Sequence, residues 1–105
     1  MANQALTEAV YYILLSLLEP LHGYGIMQRV EKLSAGRVRL AAGTLYGALS
    51  TLQEKGWIDA LPKQKGSRKK EYEITEQGKE ELREEMLRLR ELLENGKKLF
   101  GGDLR

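Results

Sequence analysis

Residues 9–18 form an uncharged, largely apolar run of ten, interrupted only by Ser16. Leu6, Val10, Ile13, Leu14, Leu17 and Leu18 recur at three-and-four spacing, which predicts a helix over 6–18. Thr7 is placed to cap its start, and Glu19-Pro20 to stop it, because the residue before proline avoids helical dihedrals. A helix apolar on nearly every side must be buried on more than one face. At 105 residues the chain is one domain, too small to cover all those faces itself. A partner chain is therefore expected. The run is about half of the roughly twenty residues a membrane span requires. Glu8 precedes it, and residues 1–8 hold no Lys or Arg, so no secretory signal is expected. The expected compartment is the cytoplasm, with no membrane partner.

The side-chain inventory excludes much chemistry. With no cysteine and one histidine, His22, the chain has no disulfide, no thiolate ligand and no relay for a nucleophile. Carboxylates are spread along a solvated helix, and no glycine-rich phosphate loop is present. We expect neither enzyme activity, nor a metal, nor a cofactor. Net charge is +2 but unevenly placed. Residues 1–70 hold ten basic against five acidic side chains, and residues 71–105 hold seven against ten. The first part suits a polyanion and the last a protein surface.

Further elements follow from pattern. A second helix is predicted from Tyr24 to Leu33, with Gly36 just past its end. Arg37-Val38-Arg39-Leu40 alternates like a short half-buried strand that would send both arginines outward. A third helix is predicted from Gly43 to Lys55, with Gly56 as its stop. Leu45, Ala48, Leu49 and Leu52 face inward. The other side is small and polar, with Gly43, Gly47, Ser50, Thr51 and Glu54. Strands are expected over Trp57–Leu61 and Lys70–Ile74. Thr75 is placed to cap a last helix over 76–100, on which Leu82, Met86, Leu89 and Leu93 repeat at coiled-coil spacing. Residues 101–105 should fray.

Between the two strands, Lys63, Lys65, Arg68, Lys69 and Lys70 place five positive charges in eight residues. On a hairpin tip they could follow a phosphate backbone, with Gly66 and Ser67 small enough to enter a minor groove. Read alone, such a loop is equally a solvated turn. The element order changes that balance. It is helix, helix, strand, helix, strand, basic hairpin, strand, long helix, the order of a winged helix-turn-helix. The fold expected is mainly α with a small β-hairpin wing and a long C-terminal dimerisation helix. Residues 1–75 would bind DNA and residues 76–100 would dimerise.

The expected DNA-contacting set is Gly43, Thr44, Tyr46, Gly47 and Ser50 on the third helix. Lys63, Lys65, Ser67, Arg68, Lys69 and Lys70 join it from the wing, and Arg37 and Arg39 from the strand. The glycines permit close backbone approach, and the hydroxyls lie near the helix start that enters a groove. The third helix lacks the Arg, Lys and Asn that usually read base edges, so phosphate contacts and groove shape should dominate. Val10, Ile13, Leu14, Leu82, Met86, Leu89 and Leu93 are the expected dimer contacts. His22 and Trp57 read as structural residues. The rival reading is a winged-helix module that docks protein through its basic loop.

Several spaced motifs carry a resemblance. They are Leu21-His22-Gly23-Tyr24-Gly25, Gly43-Thr44-Leu45-Tyr46 with Ala48-Leu49 and Leu52, Glu54-Lys55-Gly56-Trp57-Ile58, and Arg68-Lys69-Lys70 with Tyr72, Thr75 and Gly78. Over roughly residues 6–85 the chain resembles the PadR family of transcriptional regulators, in its short-tailed branch. The resemblance implies a dimeric winged-helix repressor of near-palindromic double-stranded DNA, with the last helix as dimer element. It places Thr44, Tyr46 and the wing cations on the family's DNA-contacting positions. It also implies a small hydrophobic or aromatic effector between the first and last helices. Two departures stand out. Ala41-Ala42 occupies the place where relatives often carry Ser-Pro, which leaves the cap of the third helix to another group such as Thr44. The last helix also lacks the tryptophan that some drug-binding relatives have there.

Overall fold

The computed structural model describes residues 5–63, 66 and 69–102. The elements are α1 (Glu8–Ser16), β1 (Leu21–His22), α2 (Gly23–Leu33), α3 (Ala42–Glu54), β2 (Ile58–Ala60), β3 (Glu71–Ile74) and α4 (Glu76–Phe100). The strands make one antiparallel sheet in the order β1-β3-β2. The outcome is the mainly helical winged architecture expected, with a small sheet and a long last helix.

Helix boundaries follow local chemistry. Thr7 caps α1 by accepting the Val10 N–H at 3.1 Å, and Thr75 caps α4 by accepting that of Gly78 at 3.0 Å. Helix α1 stops at Ser16, two residues sooner than expected. The buried Ser16 hydroxyl donates to the Tyr12 carbonyl at 2.7 Å, and Leu17 and Leu18 close a tight turn.

The core gathers Ile13, Leu14 and Leu17 of α1, Ile26 and Val30 of α2, and Leu45, Leu49 and Leu52 of α3, against Ile58, Tyr72, Ile74 and Leu82. This corrects part of the dimer assignment. Ile13 and Leu14 have no exposed surface and Leu82 almost none, because α1 packs against α2 and the start of α4 within the chain.

The strand expected over 37–40 is absent. Its alternation is real, since Val38 and Leu40 pack on the core while both arginines are exposed. No ladder forms because Leu21–His22 takes the free edge of β3, with Leu21 opposite Tyr72 and His22 opposite Glu71. The buried Ser34 hydroxyl instead accepts the Val38 N–H at 2.9 Å, doing a ladder's work locally.

At the joint between hairpin and α4, the Thr75 N–H donates to the Trp57 carbonyl at 2.9 Å and its hydroxyl to the Gly56 carbonyl at 2.7 Å. Gly56 adopts φ +78°, the left-handed turn that ends α3. Helix α4 is 25 residues long, about 37 Å. From Leu89 to Phe100 every residue is exposed. Among the described residues no helix is long and apolar enough to cross a membrane.

Candidate nucleic-acid interface

Helix α3 buries Leu45, Leu49 and Leu52 and turns Gly43, Thr44, Tyr46, Gly47 and Ser50 to the outside. These five are brought together on one exposed strip at three-and-four spacing. A Cβ added at Gly43 or Gly47 would meet no atom within 4 Å, so the strip is open as well as small. Its N-cap, Ala41, is extended and provides no side-chain cap, and Thr44 does not supply one in its place. The first amides of α3 therefore have no capping side chain, which suits the approach of an anion. Thr51 is committed elsewhere, its hydroxyl donating to the Gly47 carbonyl at 3.2 Å.

The wing stands beside this strip. Ile58, Asp59 and Ala60 pair with Ile74, Glu73 and Tyr72. Ile58, Tyr72 and Ile74 point inward. Burial raises the Tyr72 phenol pKa and the Tyr46 phenol raises it further, and α3 packs against β2 of the sheet. Lys70 Nζ lies 5.8 Å from the centre of the Tyr72 ring, which holds the root of the basic segment over the sheet. Lys63, Lys69 and Lys70 are exposed. Lys65, Ser67 and Arg68 lie outside the described residues. Composition did not single out the stem's charge: Asp59 stands opposite Glu73, and Glu71 is two residues further along β3. A basic tip thus sits on an acidic stem.

The loop arginines are drawn inward along the chain. Arg37 Nε donates to Glu8 of α1 at 2.8 Å, with Nη2 on the same carboxylate oxygen. Arg39 Nε stands 3.7 Å from Glu31 of α2, a looser pair. Lys55 folds back over the Trp57 ring at 4.7 Å. None of the three joins the α3 strip here.

A second face involves α1 and α4. Met86, Leu89 and Leu93 are exposed on α4, and Val10 is half-buried. Leu15, Leu18, Leu82 and Met86 line an apolar recess of about 260 Å³ between the two helices.

Pattern also missed Glu85, since an acid among acids gives no signal. It is buried on the α1 side of α4, where both oxygens receive the Arg88 guanidinium at 2.7 Å. The Arg88 hydrogen bonds hold its carboxyl below the ordinary range against the opposing effect of burial, and the Leu6 backbone N–H assists. A depressed pKa stabilises the fold above the unfolded value of about 4.5, and that stability is lost as pH falls below it. Glu85→Gln should lose about 1–3 kcal/mol at neutral pH and show a shallower decline in acid. Urea denaturation from pH 7 to 3 checks this. Superimposable acid limbs would mean that Glu85 does not carry the effect.

Comparison with known proteins agrees with this architecture. The profile of the family described as "Transcriptional regulator PadR-like family" matches residues 13–84. A PadR family transcriptional regulator from Eggerthella lenta superposes with a TM-score of 0.70 at 27% identity, over 90% of this chain and 82% of that one. A PadR-like transcriptional regulator from Bacillus cereus gives 0.70 at 23% identity, over 91% and 92%. Bacillus subtilis PadR in complex with operator DNA gives 0.59 at 25% identity, over 71% of this chain and 44% of that one. No curated protein matches the sequence.

Proposed function

Because the chain belongs to the PadR-like family of transcriptional regulators, we propose that it is a homodimeric, sequence-specific regulator of double-stranded DNA. The observation that carries this reading is the packing of α3 against β2, which sets the open α3 strip beside the hairpin that bears the basic segment. The solved complex of Bacillus subtilis PadR with operator DNA lends support. In this reading α3 enters the major groove with Gly43, Thr44, Tyr46, Gly47 and Ser50 at the bases. Lys63, Lys65, Ser67, Arg68, Lys69 and Lys70 follow the phosphates. Arg37 and Arg39 contribute only by leaving Glu8 and Glu31.

Residues 76–100 form the dimer helix, with Met86, Leu89 and Leu93 against α1 of the second copy. Two-fold symmetry implies a near-palindromic operator with half-sites about 34–36 Å apart. Occupying it would block transcription, which is the repressor's mode. A small hydrophobic or aromatic effector would fit the recess between α1 and α4 and release the DNA by shifting those helices.

Neutralising Lys63, Lys65 and Arg68 together tests the reading. Binding to all duplexes should weaken, and the slope of log affinity against log salt should flatten by up to about 0.9 for each phosphate no longer neutralised. Fluorescence anisotropy at several salt concentrations measures it. An unchanged slope would favour the rival reading, in which the basic loop docks protein.

A further inference from the structure

The start of α2 and the strip on α3 meet at one point. The place a Cβ would take on Gly23 lies 2.2 Å from the Tyr46 hydroxyl oxygen and 2.7 Å from Cζ. Those distances are far inside van der Waals range, so the phenol end of Tyr46 fills the volume that any side chain at position 23 would need. The surface it rests on is held firmly. His22 Nδ1 accepts the Gly25 N–H at 3.2 Å as the cap of α2, and His22 itself pairs with Glu71 in the sheet. Tyr46 is nonetheless 48% exposed. It is the one large side chain on the strip, where its neighbours are two glycines, a threonine and a serine. The shape α3 presents is therefore set mainly by where this ring lies.

We infer that Gly23 is a positioning residue for DNA recognition. Its bare α-carbon seats Tyr46 against the start of α2 and so fixes which sequences the α3 strip accepts. The inference rests on the DNA-binding reading above. A side chain at 23 drives the ring out of its seat, over the open surface beside Gly43 and Gly47. The wing keeps all its cations, so its hold on phosphates should persist.

The test is a cycle of four proteins: wild type, Gly23→Ala, Tyr46→Ala and the double variant. Position 23 is the first residue of α2 and has no positive φ, so alanine there is intrinsically the better residue. Without DNA, the change in thermal midpoint on Gly23→Ala should be less favourable when Tyr46 is present than when Tyr46 is absent. Equal shifts in both backgrounds would overturn the seating.

The second readout is the ratio of affinity for a duplex selected from random DNA to affinity for an unrelated duplex, each measured at the same series of salt concentrations. Gly23→Ala should reduce that ratio about three- to tenfold, with the salt slope unchanged and no further loss in the Tyr46→Ala background. A shifted midpoint with an unchanged ratio leaves Gly23 a packing residue and overturns the positioning role. If Gly23→Ala alone does not fold but the double variant does, the seating stands and the ratio is read on Tyr46→Leu. An unchanged ratio there overturns the inference. If the wild type prefers no duplex, the DNA reading fails, taking the positioning role with it, while the midpoint cycle still reports whether ring and glycine touch.

Discussion

Gly78→Ala should destabilise the protein by about 3 kcal/mol, lowering its thermal midpoint by roughly 15 °C. A Cβ at Gly78 would lie 2.2 Å from the Trp57 carbonyl oxygen and 2.7 Å from Ile74 Cγ1. The first is backbone, held by the Thr75 N–H, and the second is a core side chain, so neither can swing aside. Relief requires the start of α4 to lift off the hairpin, which breaks the Thr75 bonds to Gly56 and Trp57. Gly96 is the matched control. It lies in the same helix with nothing within 4 Å of its Cβ position. Gly96→Ala should gain up to about 1 kcal/mol from helix propensity alone. Calorimetry of both variants gives opposite signs if the joint is as tight as its geometry. A Gly78→Ala protein as stable as wild type would show that the joint yields.

If α4 is the dimer helix proposed above, Leu89→Lys should abolish the dimer at micromolar concentration and reduce operator affinity by two orders of magnitude or more. Leu89 is 40% exposed in the single chain, so a lysine there is tolerable while the face is wet. Buried against a second copy, the same charge is unpaired and costs several kcal/mol. The choice of site matters. Leu82 shares the stripe but lies in the chain's own core, so a charge there would unfold the monomer and report nothing about assembly. Analytical ultracentrifugation with and without operator DNA measures the outcome. A folded, fully dimeric Leu89→Lys protein with wild-type affinity would remove α4 from the interface.

Local chemistry was legible in the sequence, and long-range packing was not. Thr7, Thr75 and Gly56 mark helix ends because caps and left-handed turns depend on a few consecutive residues. The inward face of α3 and the full extent of α4 follow from periodicity alone. Arg37–Leu40 shows where that reasoning stops. Alternation records which side chains are buried, but a strand also needs a free edge, and β1 had taken it. The same holds for Ile13 and Leu14. An all-round apolar helix demands cover without saying whose, and here α2 and α4 supply much of it. The seat of Tyr46 on Gly23 joins residues 23 positions apart, and no pattern within either motif announces it.

The basic tip and acidic stem of the wing have an electrostatic consequence. Asp59 and Lys63 are four residues apart, at most about 13 Å of extended chain. At 0.1 M salt the screening length is about 10 Å, so a polyanion at the tip feels mainly the tip. At 0.01 M it is about 30 Å, and the Asp59–Glu73 pair falls within the same field. The hairpin then behaves as a small electric dipole whose near pole attracts and whose far pole repels. Its pull on DNA should rise less steeply at low ionic strength than its count of lysines implies. The torque on that dipole would turn the wing end-on to the duplex before the two surfaces touch.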